Sequence, residues 1–117
     1  RYLSSAASDV YKRQIVFCDT DLLTTATYSK LYFNNYCDPL LDKYSKLNYY
    51  DLYLLMDIDI PWVKDDLRDR PNERDIFFNS FKMALEMNNK NYFTVSGSFQ
   101  KRKQKAIELV NNLLNLQ

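Results

Sequence analysis

An uninterrupted apolar run, residues 15–18, leads directly into two carboxylates, Asp19 and Asp21, which flank Thr20. A run with no polar alternation is typical of a strand buried on both faces, as in a parallel α/β sheet. Ligands of such sheets bind beyond the carboxyl ends of the strands, where both carboxylates are expected to lie. A carboxylate in that place holds Mg²⁺ or accepts a proton from an attacking hydroxyl group.

The rest of the chain alternates predicted helices with two more predicted strands. The strands are residues 52–56, which close on Asp57, and residues 92–95, which end at Ser96 and Gly97. The predicted helices are residues 21–34, 38–47, 62–67, 72–88, with Asn72 as N-cap, and 99–116. Strands that alternate with helices indicate a parallel sheet with right-handed crossovers.

Apolar stripes on the helices predict which side chains face the core. On the helix over residues 21–34, one face carries Leu23, Ala26, Thr27, Lys30 and Leu31. The predicted buried positions of the last two helices are Phe77, Phe81, Ala84 and Leu85, and then Ile107, Val110, Leu113 and Leu114.

Composition limits the chain to at most one domain and excludes several kinds of site. Its 117 residues are 46% hydrophobic and 15% aromatic, which allows a real core and excludes a disordered chain. The formal charge of +1 indicates no nucleic-acid partner, and no apolar run approaches the roughly 20 residues of a membrane helix. The absence of histidine excludes His-based triads and His metal sites.

Two further features of the sequence bear on its cellular context. Cys18 and Cys37 form no CxxC pair, and Cys18 falls in the predicted buried strand, which favours two reduced core thiols in a cytoplasmic protein. Residues 1–14 fit neither a helix nor a strand period and lack the features of a secretory signal. We interpret residues 4–14 as a translated sequencing adapter and expect the whole segment 1–14 to be non-native.

Strand-end carboxylates resemble the Walker B arrangement of P-loop phosphotransferases, but the phosphate-binding partner is missing from the sequence. The chain has one glycine, Gly97, and no Gly-Lys-Ser or Gly-Lys-Thr. A P-loop needs two glycines and a lysine so that its backbone N–H groups can surround the phosphates. Either the Walker B interpretation is wrong or the chain is a piece of a longer protein. We favour the second, with residues 15–117 as a partial domain.

Residues 65–75 form a charged segment with two interpretations. The segment holds three arginines, Arg68, Arg70 and Arg74, among five acidic residues. Charge runs are usually solvated edges with weak surface ion pairs, each worth about 0–1 kcal/mol. Alternatively, the arginines form a lid over transferred phosphates, because guanidinium stays charged and binds phosphate oxygens bidentately. The basic run at residues 101–105 is predicted to be a solvated face.

Three segments together resemble the ribosylnicotinamide kinase domain of NadR-type proteins. They are residues 15–25 (IVFCDTDLLTT), residues 51–70 (DLYLLMDIDIPWVKDDLRDR) with Glu73 and Arg74, and residues 92–97 (YFTVSG). The resemblance covers residues 15–114 in the right order and spacing. It implies a three-layer P-loop kinase-like parallel sheet with flanking helices, from which the first strand, the P-loop and the following helix are absent. It also implies a kinase that phosphorylates nicotinamide riboside with ATP and Mg²⁺.

The same resemblance implies a role for each matching residue. Asp19 would be the Walker B carboxylate, near Mg²⁺ and the attacking 5′-hydroxyl, while Asp21 and Thr24 would face the ribose of the substrate. The lid residues Arg68, Arg70 and Arg74 would neutralise charge on the transferring phosphate, with Arg68 on the ATP side. Ser96 and Gly97 would border the adenine.

Two other functions remain open from the sequence. One is another P-loop kinase, for nucleosides or nucleoside monophosphates. The other is a regulatory domain that binds nucleotide without turnover. The sequence carries no information on the oligomeric state.

Overall fold

Two short strands, Tyr53–Met56 (β1) and Tyr92–Val95 (β2), pair in parallel in the computed structural model, which describes residues 15–61 and 71–115. The register aligns Tyr53 with Tyr92 and Met56 with Val95. The helices in chain order are Leu22–Tyr32 (α1), Pro39–Leu47 (α2), Arg74–Met87 (α3) and Phe99–Asn115 (α4), and a 3₁₀ turn, Pro71–Glu73, precedes α3.

This arrangement confirms the predicted α/β class with parallel strands. The connection from β1 to β2 contains α3, as a parallel pair requires, because its strands cannot be joined by a tight hairpin. The predicted strands at residues 52–56 and 92–95 and the helices that begin near residues 22, 39, 74 and 99 are observed. A wider three-layer sheet stays a prediction, since the described residues form two strands.

Carboxylates begin the first two helices. Asp21 caps α1, and the Asp38 side chain accepts a hydrogen bond from the Leu40 N–H at 2.8 Å at the start of α2. Beyond α1 the chain turns through Asn34 and Asn35, whose φ angles are 54° and 68°. Asparagine tolerates this left-handed region, so the pair stops the helix, and α1 ends at Tyr32, two residues before the predicted end at residue 34.

The predicted N-cap of α3, Asn72, is wrong by one residue. Residues 71–73 wind into a 3₁₀ turn, so Asn72 lies within that turn and Glu73 takes the N-cap position. The predicted apolar stripe is observed, with Leu85 buried and Phe77, Phe81 and Ala84 half-buried.

Aromatic side chains join α1 to α3. The Tyr28 ring meets the Phe81 ring edge to face at 5.0 Å between centroids, and Tyr32 meets Phe77 at 5.6 Å. Such pairs are worth about 0.5–1.5 kcal/mol beyond the area they bury. The buried apolar side chains of the described residues are Leu23, Ala26, Leu85, Val95 and Leu109.

The prediction of a buried strand at residues 15–18 is wrong. This segment has no strand partner among the described residues, and Val16 and Phe17 are 80% and 72% exposed. Cys18 is likewise an exposed free thiol and not a core residue. A strand is stable only when a neighbour satisfies its backbone N–H and C=O groups, and no described strand lies beside this segment.

Two predicted core positions of α4 are wrong for a related reason. Ile107 and Leu114 are 51% and 41% exposed, whereas Leu109 is buried. Residues 15–21, β1 and the last turns of α4, including Val110 and Leu114, line a cavity of about 610 Å³. The apolar side chains in the last turns of α4 therefore face an open space.

Within residues 15–61 and 71–115, no helix has both the length and the apolar character needed to cross a membrane.

Candidate functional site

Polar groups gather where the two parallel strands end. The Asp57 N–H donates to the Val95 carbonyl at 2.9 Å, and the Ser96 hydroxyl donates to Asp57 Oδ2 at 2.7 Å. One step further, the Gly97 N–H donates to Asp59 Oδ2 at 2.6 Å. The loop after β1 and the turn after β2 are thus tied together at the edge of the sheet where α/β proteins bind ligands.

Arg102, on the first turn of α4, completes this strand-end cluster. Its Nε donates to the Gly97 carbonyl at 2.8 Å, and its Nη2 donates to the Asp57 carbonyl at 3.0 Å. The same Nη2 also forms an ion pair with Asp59 Oδ1. The Arg102 side chain is only 14% exposed, so the prediction that this part of the basic run is a solvated face is wrong for Arg102.

The backbone conformation at position 97 explains why this residue is a glycine. Its φ of 96° lies in the left-handed region, which side chains with a Cβ rarely adopt. An added Cβ would also lie 3.2 Å from Cβ and Cδ of Lys101. The hydrogen bond from the Gly97 N–H, followed by the charge of Arg102, lowers the pKa of Asp59 below its ordinary value.

Arg74 holds the same loop from the other side. Its Nη2 donates to the Ile58 carbonyl at 3.0 Å and to the Ile60 carbonyl at 2.6 Å. The loop between Asp57 and Ile60 is therefore fixed by two arginines, Arg102 and Arg74. This loop precedes the arginine-rich segment, which consists of the charged residues 65–75.

A second cluster forms around Asp21, at the opposite end of β1. Asp21 Oδ1 accepts hydrogen bonds from the N–H and hydroxyl of Thr24 at 2.9 and 2.7 Å, and Oδ2 accepts one from the Tyr53 hydroxyl at 2.7 Å. Tyr53 is the first residue of β1, so this cluster lies roughly 10 Å along the strand from the strand-end cluster. The prediction that Asp21 lies at the carboxyl ends of the strands is wrong, because Asp21 contacts the first residue of β1.

Tyrosine ionisation reflects these contacts. Burial, with the hydrogen bond to Asp21 next, raises the pKa of Tyr53. Burial also raises the pKa of Tyr50, whose ring meets the Tyr53 ring edge to face at 5.3 Å, and contact with Cys18 adds to that shift. Both phenols therefore stay protonated in the folded chain at neutral pH.

Replacing Tyr53 by phenylalanine is expected to reduce stability in a pH-dependent way. The hydrogen bond to the Asp21 carboxylate is worth about 1.5–3 kcal/mol. Because the folded-state pKa is raised, its contribution is fully present below the unfolded pKa of about 10 and is lost as pH rises through the folded value. The thermal midpoint of the Tyr53→Phe variant should therefore lie below that of the wild type at pH 8, and the gap should narrow above about pH 10.

Tyr36→Phe is the matched control for this prediction, because Tyr36 is 61% exposed and its hydroxyl makes no described hydrogen bond. Its midpoint should follow the wild type throughout. A gap for Tyr53→Phe that stays constant from pH 8 to pH 11 would contradict the assignment of the effect to phenol ionisation.

Asp19, the predicted Walker B carboxylate, is exposed and makes no hydrogen bond or ion pair with the described residues. The described part of the chain contains no group of three or more His, Cys, Asp or Glu side chains placed to hold a metal ion. Asp19 borders the cavity between residues 15–21 and β1, together with Asp21 and Thr24. Ser96 and Gly97 lie in the other cluster.

The predicted helix at residues 62–67 and the lid residues Arg68 and Arg70 lie outside the described residues, as does the segment 1–14. Of the predicted lid residues, only Arg74 is placed. Its contacts with two carbonyls show that it already has a structural role at the base of that segment.

Three residues of the two clusters were not singled out from the sequence: Asp59, Tyr53 and Arg102. Asp59 follows a strand end by three residues, which is a weak indication that it belongs to the site. Tyr53 and Arg102 carry no local signal, because their partners lie 32 and 43 residues away in the chain.

Comparison of the sequence with known proteins identifies the family of the chain. The profile of the AAA domain, a P-loop family, matches residues 2–102. The chain is 30% identical over 113 residues to the trifunctional NAD biosynthesis/regulator protein NadR of Escherichia coli, and 29% identical to NadR of Salmonella typhimurium. Each alignment covers 92% of the chain but only 27% of the relative, so the chain spans about a quarter of these curated proteins. The chain thus belongs to the AAA domain family, and its similarity to NadR confirms the predicted resemblance to NadR-type P-loop proteins.

Proposed function

We propose that this chain is part of an ATP-dependent kinase that phosphorylates nicotinamide riboside to nicotinamide mononucleotide in NAD biosynthesis. The observation that carries the proposal is the strand-end cluster. Asp57, Asp59, Ser96 and Gly97 meet beyond the carboxyl ends of two parallel strands, in a chain similar to NadR over 92% of its length. That edge is the nucleotide-binding edge of α/β sheets.

The residue roles in this proposal follow the resemblance. Ser96 and Gly97 border the adenine, and Gly97 contributes mainly its lack of a side chain, because its N–H and C=O are already paired. Arg68 and Arg70 act on the phosphates, with Arg74 at the base of their segment. The phosphate-binding loop comes from sequence outside these 117 residues, since the chain holds one glycine and no GxxxxGK[ST] motif.

Asp19, Asp21 and Thr24 serve the acceptor side of the reaction in this proposal. Asp19 accepts the proton of the attacking 5′-hydroxyl, a task that suits an exposed carboxylate with no competing partner among the described residues. Asp21 and Thr24 bind the ribose. The Asp21 carboxylate accepts three hydrogen bonds from the described residues, and a carboxylate has about four lone-pair sites, so it can accept one more from a ribose hydroxyl.

Asp19 also fits Mg²⁺ by its chemistry. This ion keeps several waters and is usually held by one or two carboxylates and the substrate phosphates, so it does not need a cage of protein ligands. When bound with ATP, Mg²⁺ neutralises phosphate charge. Asp19 supplies the hard oxygen ligand, and its exposure leaves room for the remaining ligands.

A regulatory domain that binds nucleotide without turnover is the second candidate. One observation favours it: both curated relatives are described as regulators as well as NAD biosynthesis proteins. A kinase for another nucleoside or a nucleoside monophosphate is the alternative within enzymes.

A phosphorylation assay on the complete protein separates these functions. The complete protein is the chain together with the sequence that adjoins it in its gene. With ATP and Mg²⁺, we expect nicotinamide riboside to be phosphorylated with a kcat/KM at least about 10-fold above adenosine, cytidine, uridine and nucleoside monophosphates, since a site built to hydrogen-bond its substrate rejects analogues strongly. Preference for another acceptor would support the alternative kinase. ATP binding without turnover of any acceptor would support the regulatory domain.

A further inference from the structure

Arg102 connects the two loops that follow the parallel strands. Regular strand pairing ends at Met56 and Val95. Beyond it, three links join the loops directly, from Asp57 N–H to the Val95 carbonyl, from the Ser96 hydroxyl to Asp57, and from Gly97 N–H to Asp59. Arg102 adds a fourth from a separate helix, because it contacts the Asp57 carbonyl, the Asp59 carboxylate and the Gly97 carbonyl.

The position of Arg102 is costly unless these contacts are made. It lies on the first turn of α4, where the helix dipole disfavours a cation, and its side chain is 14% exposed. A lysine or arginine that only solubilises the surface needs neither burial nor three acceptors. The Nε–H and both N–H groups of Nη2 are each accounted for by one acceptor, which requires the planar fork of guanidinium.

We propose that Arg102 is a positioning residue of the nucleotide site. It fixes the Ser96–Gly97 turn against the loop between Asp57 and Ile60, so that the turn bordering the nucleotide and the base of the arginine-rich segment keep one relative position. Asp59 is its partner in this task, because the Asp59 carboxylate binds both Arg102 and the Gly97 N–H. The inference rests on the proposed function only in that nucleotide binds beside Ser96 and Gly97.

Arg74, at the end of the arginine-rich segment, contacts the same loop that Arg102 holds. It fixes the carbonyls of Ile58 and Ile60, on the same loop whose first residues Arg102 holds. A shift of the Gly97 turn is therefore passed to this loop through Asp57 and Asp59. Loss of Arg102 should weaken the binding of ATP more than that of the acceptor, whose proposed ligands Asp21 and Thr24 lie at the other end of β1.

Steady-state kinetics of Arg102→Gln, Asp59→Asn and the double variant in the complete protein test this inference. Loss of a hydrogen-bonded charge pair corresponds to about a 10-fold change or more, so we expect KM for ATP to rise about 10-fold in Arg102→Gln. The kcat and the KM for the acceptor should change less than about threefold, because the reacting groups are not touched. The effect of the double variant should be smaller than the product of the two single effects, since both single variants lose the shared Arg102–Asp59 ion pair.

Two further variants separate positioning from simple loss of charge or fold. Arg102→Lys keeps the charge but loses the fork, and its KM for ATP should lie between those of the wild type and Arg102→Gln. Lys103→Gln removes an adjacent exposed charge and should leave all constants unchanged. Circular dichroism and the thermal midpoint of each variant report whether it is folded.

Two results would overturn the inference. One is an unchanged KM for ATP in folded Arg102→Gln, with only the thermal midpoint lowered. The other is equal increases in the KM values of ATP and acceptor. If the wild type turns over no acceptor, calorimetric ATP affinity replaces KM, and the same order of variants is expected. A wild type that neither binds nor uses ATP would instead refute the proposed function, and the inference with it.

Discussion

Replacing Arg70 by alanine in the complete protein is expected to lower kcat by about 10³-fold if this arginine neutralises charge on the transferring phosphate. Arg74→Ala is expected to lower kcat as well, but by less, because its guanidinium already donates to the Ile58 and Ile60 carbonyls. ATP affinity should change little in Arg70→Ala, since a group that acts on transition-state charge contributes little to ground-state binding. Rapid-quench and steady-state measurements with saturating ATP give these values.

The structure provides a way to distinguish the roles of the two arginines. Arg74→Lys retains a donor near the two carbonyls and should recover part of the loss, whereas Arg70→Lys should recover little if bidentate phosphate contact is required. Lys82→Gln, a charge removed from the exposed side of α3, is the control for a general effect of charge. A wild-type kcat in the double variant Arg70→Ala with Arg74→Ala would contradict the role in phosphate transfer. It would support the alternative interpretation of the charged segment as a solvated edge.

Local pattern was sufficient for most of the secondary structure. The asparagine pair after α1, the Asp-Pro start of α2 and the apolar stripe of α3 each predict a boundary or a face from residues within one turn of one another. The parallel pairing of β1 and β2 was also predictable, because a helix between two strands leaves little alternative. The turn between β2 and α4 at Gly97 was predictable from local sequence as well.

Long-range contacts could not be read from the sequence, and they decide the site. Arg102 lies in a run of lysines, and two of its three acceptors, the Asp57 carbonyl and the Asp59 carboxylate, come from residues more than 40 positions earlier. Asp21 has the pattern of a helix N-cap, but its contact with Tyr53 depends on how α1 packs on β1. The apolar run at residues 15–18 predicts a strand only if a neighbouring strand is present, and periodicity cannot report that neighbour.

The open space beside β1 indicates what the missing neighbour would be. One edge of β1 pairs with β2, and the other faces the cavity of about 610 Å³ that residues 15–21 and α4 also line. Exposed apolar side chains on both walls, including Phe17, Met56 and Leu114, would be covered by an added strand. In P-loop kinases of the resembled topology, the strand that carries the phosphate loop lies between the Walker B strand and the strand equivalent to β1.

The 117-residue chain on its own is therefore expected to bind no ATP detectable by calorimetry at about millimolar ligand, an affinity limit of roughly −4 kcal/mol. Its sequence has no glycine-rich phosphate-binding loop with an adjacent lysine, and neither Asp19 nor the arginines of the predicted lid can replace backbone N–H donors. It should also aggregate on heating, because the edge of β1 that no described strand covers, and the exposed Val16 and Phe17, favour association between chains. The complete protein, assayed in parallel, should bind ATP with a cooperative unfolding transition. Micromolar ATP affinity of the isolated chain, together with a cooperative transition, would show that these residues alone form a nucleotide site and would refute the proposed division of the domain.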